Sequence, residues 1–144
     1  MESMVGVFRF LRFYAVGYRD NAFYRSSTDS IHLPTLNSFE TVENFYQTLW
    51  HEQVHSSGHP SRLGRKGVVE QAAFGSEDYS QEELIAELGS AFLCGMAQIE
   101  NKTIDNSAAY ISGWLKSLKD DQKLIVMAAA QAQKAVDYLT NAQL

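Results

Sequence analysis

Only one cysteine, Cys94, occurs in the 144-residue chain, which excludes an internal disulfide and any cysteine cluster able to hold a metal. A reducing compartment, in the simplest case the cytoplasm, is the expected setting. Basic residues are in deficit as well. Twelve Lys and Arg stand against 17 Asp and Glu, a formal charge of −5, so no global electrostatic footprint exists for nucleic acid or anionic membrane. Long apolar runs are missing: nothing approaches the roughly 20 uninterrupted apolar residues that span a bilayer. The apolar, aromatic N-terminus is interrupted by Arg9 and Arg12 and lacks a small-residue cleavage site, so it reads as structural and not as a signal peptide. A soluble protein with no membrane partner is expected.

What is present is enough apolar material, 45% of residues, to bury one core, and residues 1–144 are expected to form one domain. The first part reads as strands, within about residues 5–34: Val5 to Tyr14 and Ala22 to Arg25 are rich in aromatic and β-branched types, and Ser30 to Leu33 alternates. Ser26-Ser27-Thr28-Asp29 has turn chemistry, making Phe23 to Leu33 a hairpin. Pro34 suggests that its last strand lies at a sheet edge. A helix is expected over about residues 38–57, capped by Asn37 or Ser38, with Val42, Phe45, Tyr46, Leu49, Trp50 and Val54 as its apolar face. Gly58 and Pro60 stop it. Residues 58–79 read as a connection with a short helical turn at Val68 to Ala73, and residues 80–140 as helices starting near Ser80, Ser107 and Asp121. Strands first and helices afterwards argue for an α+β fold, a small, mostly antiparallel sheet against a helical layer.

Within the first helix, His51-Glu52-Gln53-Val54-His55 is an HExxH motif in the context it requires. At 3.6 residues per turn the two histidines lie about 40° apart, so both imidazoles reach one ion. Glu52 lies about 100° from His51, near enough to hold a metal-bound water without taking a ligand position. Metal binding by His51 and His55, with Glu52 as general base, is the chemistry this spacing serves.

A catalytic zinc needs a third protein ligand. The longer HExxHxxGxxH template finds Gly58 but would put its last histidine at Ser61, and His59 comes two residues too early. His59 is kept as a weak candidate beside the plainer reading of a turn histidine. Glu83 and Glu87, four apart on the next helix, share a face, and the small residues Ala86, Ser90, Cys94 and Ala97 would let that helix approach the first. Glu83 is preferred as ligand with Glu87 orienting a histidine, although the reverse stays open, and Ser80-x-x-Glu83 could be only a capping box. Glu82 reads as a solvated charge. Tyr110 is a weak candidate for an oxyanion donor, with a packed core tyrosine as the plainer reading. Arg62 and Arg65 beside His59 could contact an acidic substrate or a phosphate, although loop arginines are usually solvated. Asp29 to Leu33 could serve as an edge strand that aligns a peptide. Cys94 reads as inert, and Trp50 and Trp114 as core anchors.

Four segments in order, DSIHLP from Asp29, TLWHEQVHSSGHPSRL from Thr48, EELIAELGSAFLC from Glu82, and YISGWLKSL with QKAVDYL near the end, together resemble the C-terminal metallopeptidase domain of ArdC-type antirestriction proteins. The likeness covers about residues 22–140, and Glu83-Leu84-Ile85-Ala86-Glu87 is also similar to the ExxAN segment of ImmA/IrrE-like metallopeptidases. The resemblance implies a zincin-like fold, zinc held by His51, His55 and Glu83, and Glu52 as base. It implies a zinc-dependent peptidase acting on a protein or peptide, in the setting of mobile-element antirestriction. ArdC-type proteins also carry an N-terminal single-stranded-DNA-binding domain, for which no room exists before residue 22, so direct DNA binding is not expected of this chain. The competing reading is a catalytically silent zincin-like module that recognises a protein or DNA partner.

Overall fold

The computed structural model describes residues 14–16 and 20–141; the strand expected from Val5 lies outside these residues except at Tyr14. Three short strands, β1 (Tyr14–Val16), β2 (Phe23–Arg25) and β3 (Ser30–Leu33), form a sheet in the order β1-β3-β2. β2 and β3 are the expected antiparallel hairpin, with Tyr24 opposite Ile31, and β1 runs parallel to β3, with Ala15 opposite His32. Period-2 alternation explains β3: Ile31 and Leu33 point into the core, while Ser30 and His32 face the other side. The turn places Asp29 at φ 48°, a left-handed conformation that an aspartate tolerates better than most residues.

Pro34 does not mark an edge. β3 is the central strand, and Pro34 follows Leu33 directly, so its missing N–H removes no ladder bond. Among the described residues the outer strands are β1 and β2.

Helix α1 (Val42–Ser57) starts later than expected because Thr41, whose hydroxyl accepts from the Asn44 N–H at 3.1 Å, is its cap. Leu36–Ser38 forms a separate 3₁₀ turn. The short helix α2 is Lys66–Val69, slightly earlier than the turn expected at Val68 to Ala73. The following helix α3 (Glu77–Met96) begins a turn earlier than expected: Ser76 accepts from the Tyr79 N–H, and Glu77 and Asp78 favour the positive helix start. Ser80 is therefore a buried interior residue, and the Ser80-x-x-Glu83 capping box does not form. Helices α4 (Glu100–Ser117) and α5 (Gln122–Asn141) follow. No helix among the described residues is long and apolar enough to cross a membrane.

The architecture is α+β, with α1 packed between the sheet and the other helices, and α3 against α1, α2, α4 and α5. The core joins Leu49, Trp50 and Val54 of α1 to Leu84, Ile85, Ala86 and Leu93 of α3, and to a stripe of Ala128, Ala132, Ala135, Val136 and Leu139 on α5. Small residues set the α1–α3 distance. A Cβ on Gly89 would lie 2.7 Å from Cγ2 of the fully buried Val54. Two turns of α1 away, the Ser90 hydroxyl donates to the Gln47 carbonyl at 2.7 Å, and the Gln47 amide donates to Ser107 Oγ of α4 at 2.8 Å.

The glycines give a test of this crossing. Gly89→Ala should destabilise the fold: overpacking costs about 1–3 kcal/mol, offset only in part by the roughly 1 kcal/mol alanine gains in a helix. Gly113→Ala, on an open stretch of α4, should stabilise by about 0.5–1 kcal/mol. Urea denaturation reads both signs, and a stabilising Gly89→Ala would contradict close α1–α3 contact.

Candidate metal centre

The HExxH residues occupy the third and fourth turns of α1, and α3 crosses them in the opposite direction, so early residues of one helix meet late residues of the other. His51 Nδ1 lies 3.1 Å from Glu87 Oε1, and His55 Nδ1 lies 3.2 Å from Glu82 Oε1. An ionised carboxylate only accepts, so each Nδ1 carries the proton and donates it, leaving Nε2 to face the other way. The two Nε2 atoms turn toward each other, 3.1 Å apart, and Glu83 completes a triangle, 3.3 Å from His51 Nε2 through Oε2 and 3.3 Å from His55 Nε2 through Oε1.

These edges match a tetrahedral ion. Ligand atoms about 2.0–2.1 Å from a zinc at tetrahedral angles stand roughly 3.3 Å apart. His51, His55 and Glu83 are thus a group that could hold one divalent cation. Glu87 and Glu82 each hold a histidine from behind.

The two histidines and Glu83 share charge strongly. Burial disfavours the imidazolium of His51, but hydrogen bonds to Glu83 and Glu87 outweigh it and hold its pKa well above the ordinary value. For His55, burial is likewise overcome by Glu82 and Glu83, and its pKa is pushed up to about 9. Burial would raise the Glu83 carboxyl, but the hydrogen bonds from His51 and His55 carry it well below its usual range.

Glu82 and Arg65 correct two expectations. In sequence both look like solvated charges, yet each is only 6% exposed. Arg65 Nε and Nη2 grip the two oxygens of Glu82 at 2.9 and 2.7 Å, while Nη1 donates to Ser57 Oγ at 2.8 Å and Nη2 to the Val54 carbonyl at 2.5 Å. Burial raises the Glu82 carboxyl, but Arg65 and His55 together bring it below its usual range. The sequence signal for Glu82 was its place beside Glu83, since a helix that presents 83 and 87 to one histidine pair presents 82 at the margin. Arg62 is also engaged, donating from Nε to the Ser56 carbonyl at 2.7 Å and pairing with Asp29.

The weak candidates do not join the cluster. His59 Nδ1 is occupied by Ser61, its hydroxyl at 2.7 Å and its N–H at 3.1 Å, as a turn histidine would be. Tyr110 is 59% exposed on α4, neither in the core nor on the wall of the site. Asp29 to Leu33 is not the free edge either. An open cleft of about 600 Å³ instead is lined by His51, Glu52, His55 and Glu83 together with Phe23, Tyr24 and Arg25 of β2, and by Val68 and Tyr79. Tyr79 was not singled out from sequence.

Comparison with known proteins gives the chain's relatives. The zincin-like metallopeptidase family matches residues 12–131. A DNA primase TraC of Escherichia coli is 45% identical over 123 residues, covering 85% of this chain but only 11% of the primase. An uncharacterized protein, y4eC, of Sinorhizobium fredii is 36% identical over 118 residues, covering 82% of this chain and 38% of that protein. Among solved structures, the Mn(II)-bound antirestriction protein ArdC from plasmid R388 superposes with a TM-score of 0.73 at 37% identity, over 97% of this chain and 50% of ArdC. This chain therefore spans half or less of each of these relatives. Because the family match runs through both helices that build the cluster, the chain belongs to the zincin-like metallopeptidases.

Proposed function

We propose that the chain is a zinc-dependent metallopeptidase in which His51, His55 and Glu83 hold the ion and Glu52 is the general base. The observation that carries this reading is the triangle of His51, His55 and Glu83 ligand atoms, 3.1, 3.3 and 3.3 Å on its sides, opening onto a cleft that also contains Glu52. Manganese in the ArdC structure supports a divalent ion, and the imidazole and carboxylate set suits zinc. Zinc bound there would lower the pKa of a coordinated water to about 7 and polarise a scissile carbonyl.

The chain's own groups do the rest. Glu52 takes the proton of the attacking water on its carboxylate and delivers it to the leaving amine nitrogen. Glu87 and Glu82 fix the tautomers of His51 and His55, which keeps both Nε2 lone pairs aimed at one point. Among the described residues β2 lies at one end of the sheet and lines the cleft, a position suited to an extended peptide added as a further strand. The likeness to an antirestriction protein is the support for placing this activity in antirestriction.

Purification without chelator should yield one zinc per chain, by metal analysis, and a His51→Ala/His55→Ala protein should carry none. Glu82→Gln and Glu87→Gln should each weaken metal affinity about 10–100-fold, measured by chelator competition. Glu52→Gln should keep the metal but lose about 10²–10⁴-fold of its hydrolysis of labelled casein. Equal hydrolysis by Glu52→Gln and wild type would overturn Glu52 as the general base.

Metal uptake should release protons. In the metal-free protein both histidine pKa values are raised, that of His55 to about 9, so at pH 7 the imidazoles are protonated and must lose protons to bind an ion. Calorimetry in two buffers of different ionisation enthalpy should read about one to two protons per ion, with affinity rising toward pH 9. The same shifts make the metal-free fold pH-sensitive. A raised histidine pKa contributes stability fully below about 6.5, and that contribution is lost as pH climbs through the folded value. The metal-free Tm should therefore fall between about pH 6.5 and 9. A flat Tm across that window would contradict the paired imidazolium state.

A further inference from the structure

Peptide hydrolysis by this site passes through a tetrahedral intermediate, and its oxyanion is best stabilised by a positioned donor. Two tyrosines line the cleft. Tyr24 is committed, donating to Asp29 at 2.8 Å and accepting from Arg62 at 3.4 Å. Tyr79 is not: among the described residues its contacts are the backbone N–H on Ser76 and ring contacts, and no protein acceptor takes its hydroxyl.

Its placement is specific. Tyr79 stands four residues before Glu83 on α3, so the two share a helix face and look into the same cleft as Glu52. The ring is held between Phe74, 5.2 Å away, and Trp114, 5.8 Å away, which limits its rotamers without using the hydroxyl. Burial, with the carboxylates of Glu83 and Glu52 nearby, raises the phenol pKa, so the group remains a donor at neutral pH.

We propose that Tyr79 is a catalytic residue whose phenolic hydroxyl donates a hydrogen bond to the oxyanion formed during peptide hydrolysis; this rests on the peptidase reading above. As the water oxygen bonds to the carbonyl carbon, the C=O π pair moves onto the carbonyl oxygen, and Glu52 holds the proton released by the water. Tyr79 keeps its own proton throughout. When the intermediate collapses, the pair returns to re-form C=O, the C–N bond breaks, and the proton on Glu52 goes to the amine nitrogen.

Tyr79→Phe keeps the ring between Phe74 and Trp114, so metal content and Tm should match wild type. Against labelled casein, kcat should fall about 100-fold with KM nearly unchanged. N-phosphoryl-leucinamide, whose tetrahedral phosphoryl group copies the intermediate, should bind the zinc-loaded variant about tenfold more weakly by calorimetry. A kcat within about threefold of wild type together with unchanged phosphoryl-leucinamide binding, or a loss confined to KM or to metal content, would overturn the assignment. A wild type that neither cleaves casein nor binds the phosphoryl compound would overturn the peptidase reading, and this one with it. Tyr79→Phe differing from wild type while Glu52→Gln does not would likewise locate the failure in Glu52 and not in Tyr79.

Discussion

The bidentate ion pair between Arg65 and Glu82 is the constraint on which the centre is built. Both residues are 6% exposed, and a charge taken so far from water needs a partner in good geometry. Arg65 answers with five donor contacts: two to Glu82 on α3, one to Ser57 and one each to the Val54 and His55 carbonyls toward the end of α1. One guanidinium therefore closes the C-terminus of α1, anchors the loop that follows, and fixes α3 across both. Breaking such a pair by removing one member costs about 3–5 kcal/mol, because the remaining charge stays buried alone. Two glycines make room for it. A Cβ on Gly58 would lie 2.9 Å from Arg65 Cζ, and one on Gly67 would lie 2.8 Å from Glu82 Cβ.

From Glu82 the chain of polar contacts runs to His55 Nδ1, and so to the face that Nε2 presents to Glu83. The same carboxylates serve two states. Without an ion, protons on His51 and His55, together with Arg65, balance Glu82, Glu83 and Glu87; a divalent cation, if bound, would take the place of the protons on the Nε2 side while the Nδ1 hydrogen bonds persist. Buried carboxylates that would be costly alone are thus compensated in either state, which explains how the fold tolerates so much negative charge against an apolar core.

The motif was legible because its logic is local: His51, Glu52 and His55 lie on one helix, and helical periodicity alone aims both imidazoles at one point. Glu83 and Glu87 were legible for the same reason, as an i, i+4 pair on a helix with a small-residue face. Glu82 and Arg65 were not, since charged residues in a helix and a loop look solvated until the crossing of α1 and α3 brings them together. The start of α3 was misplaced because Ser80-x-x-Glu83 and Ser76 with its acidic first turn are competing cap signals, and the competition is decided by packing: Ser80 is needed inside. Pro34 misled in the same way. A proline one residue past a strand looks identical in sequence to one on its edge, and only the pairing of β1 with the far side of β3 separates them.

The edge strand has its own anchor, and it bears on what the cleft can accept. Tyr24 of β2 donates to Asp29 in the turn, and Arg62, in the loop after α1, pairs with Asp29 and also donates from Nε to the Ser56 carbonyl at the end of α1. This contact lowers the pKa of Asp29, chiefly through the Arg62 hydrogen bond against the opposing effect of burial. The hairpin is thereby tied to the last turn of α1, the helix that carries His51 and His55. Arg65 ties that same turn to α3. Two arginines three residues apart in one loop thus set both walls of the cleft, Arg62 the strand side and Arg65 the helix side. The gap into which an extended backbone would fit is fixed by ionic contacts at the end of α1, whereas its chemistry is fixed one turn earlier on the same helix.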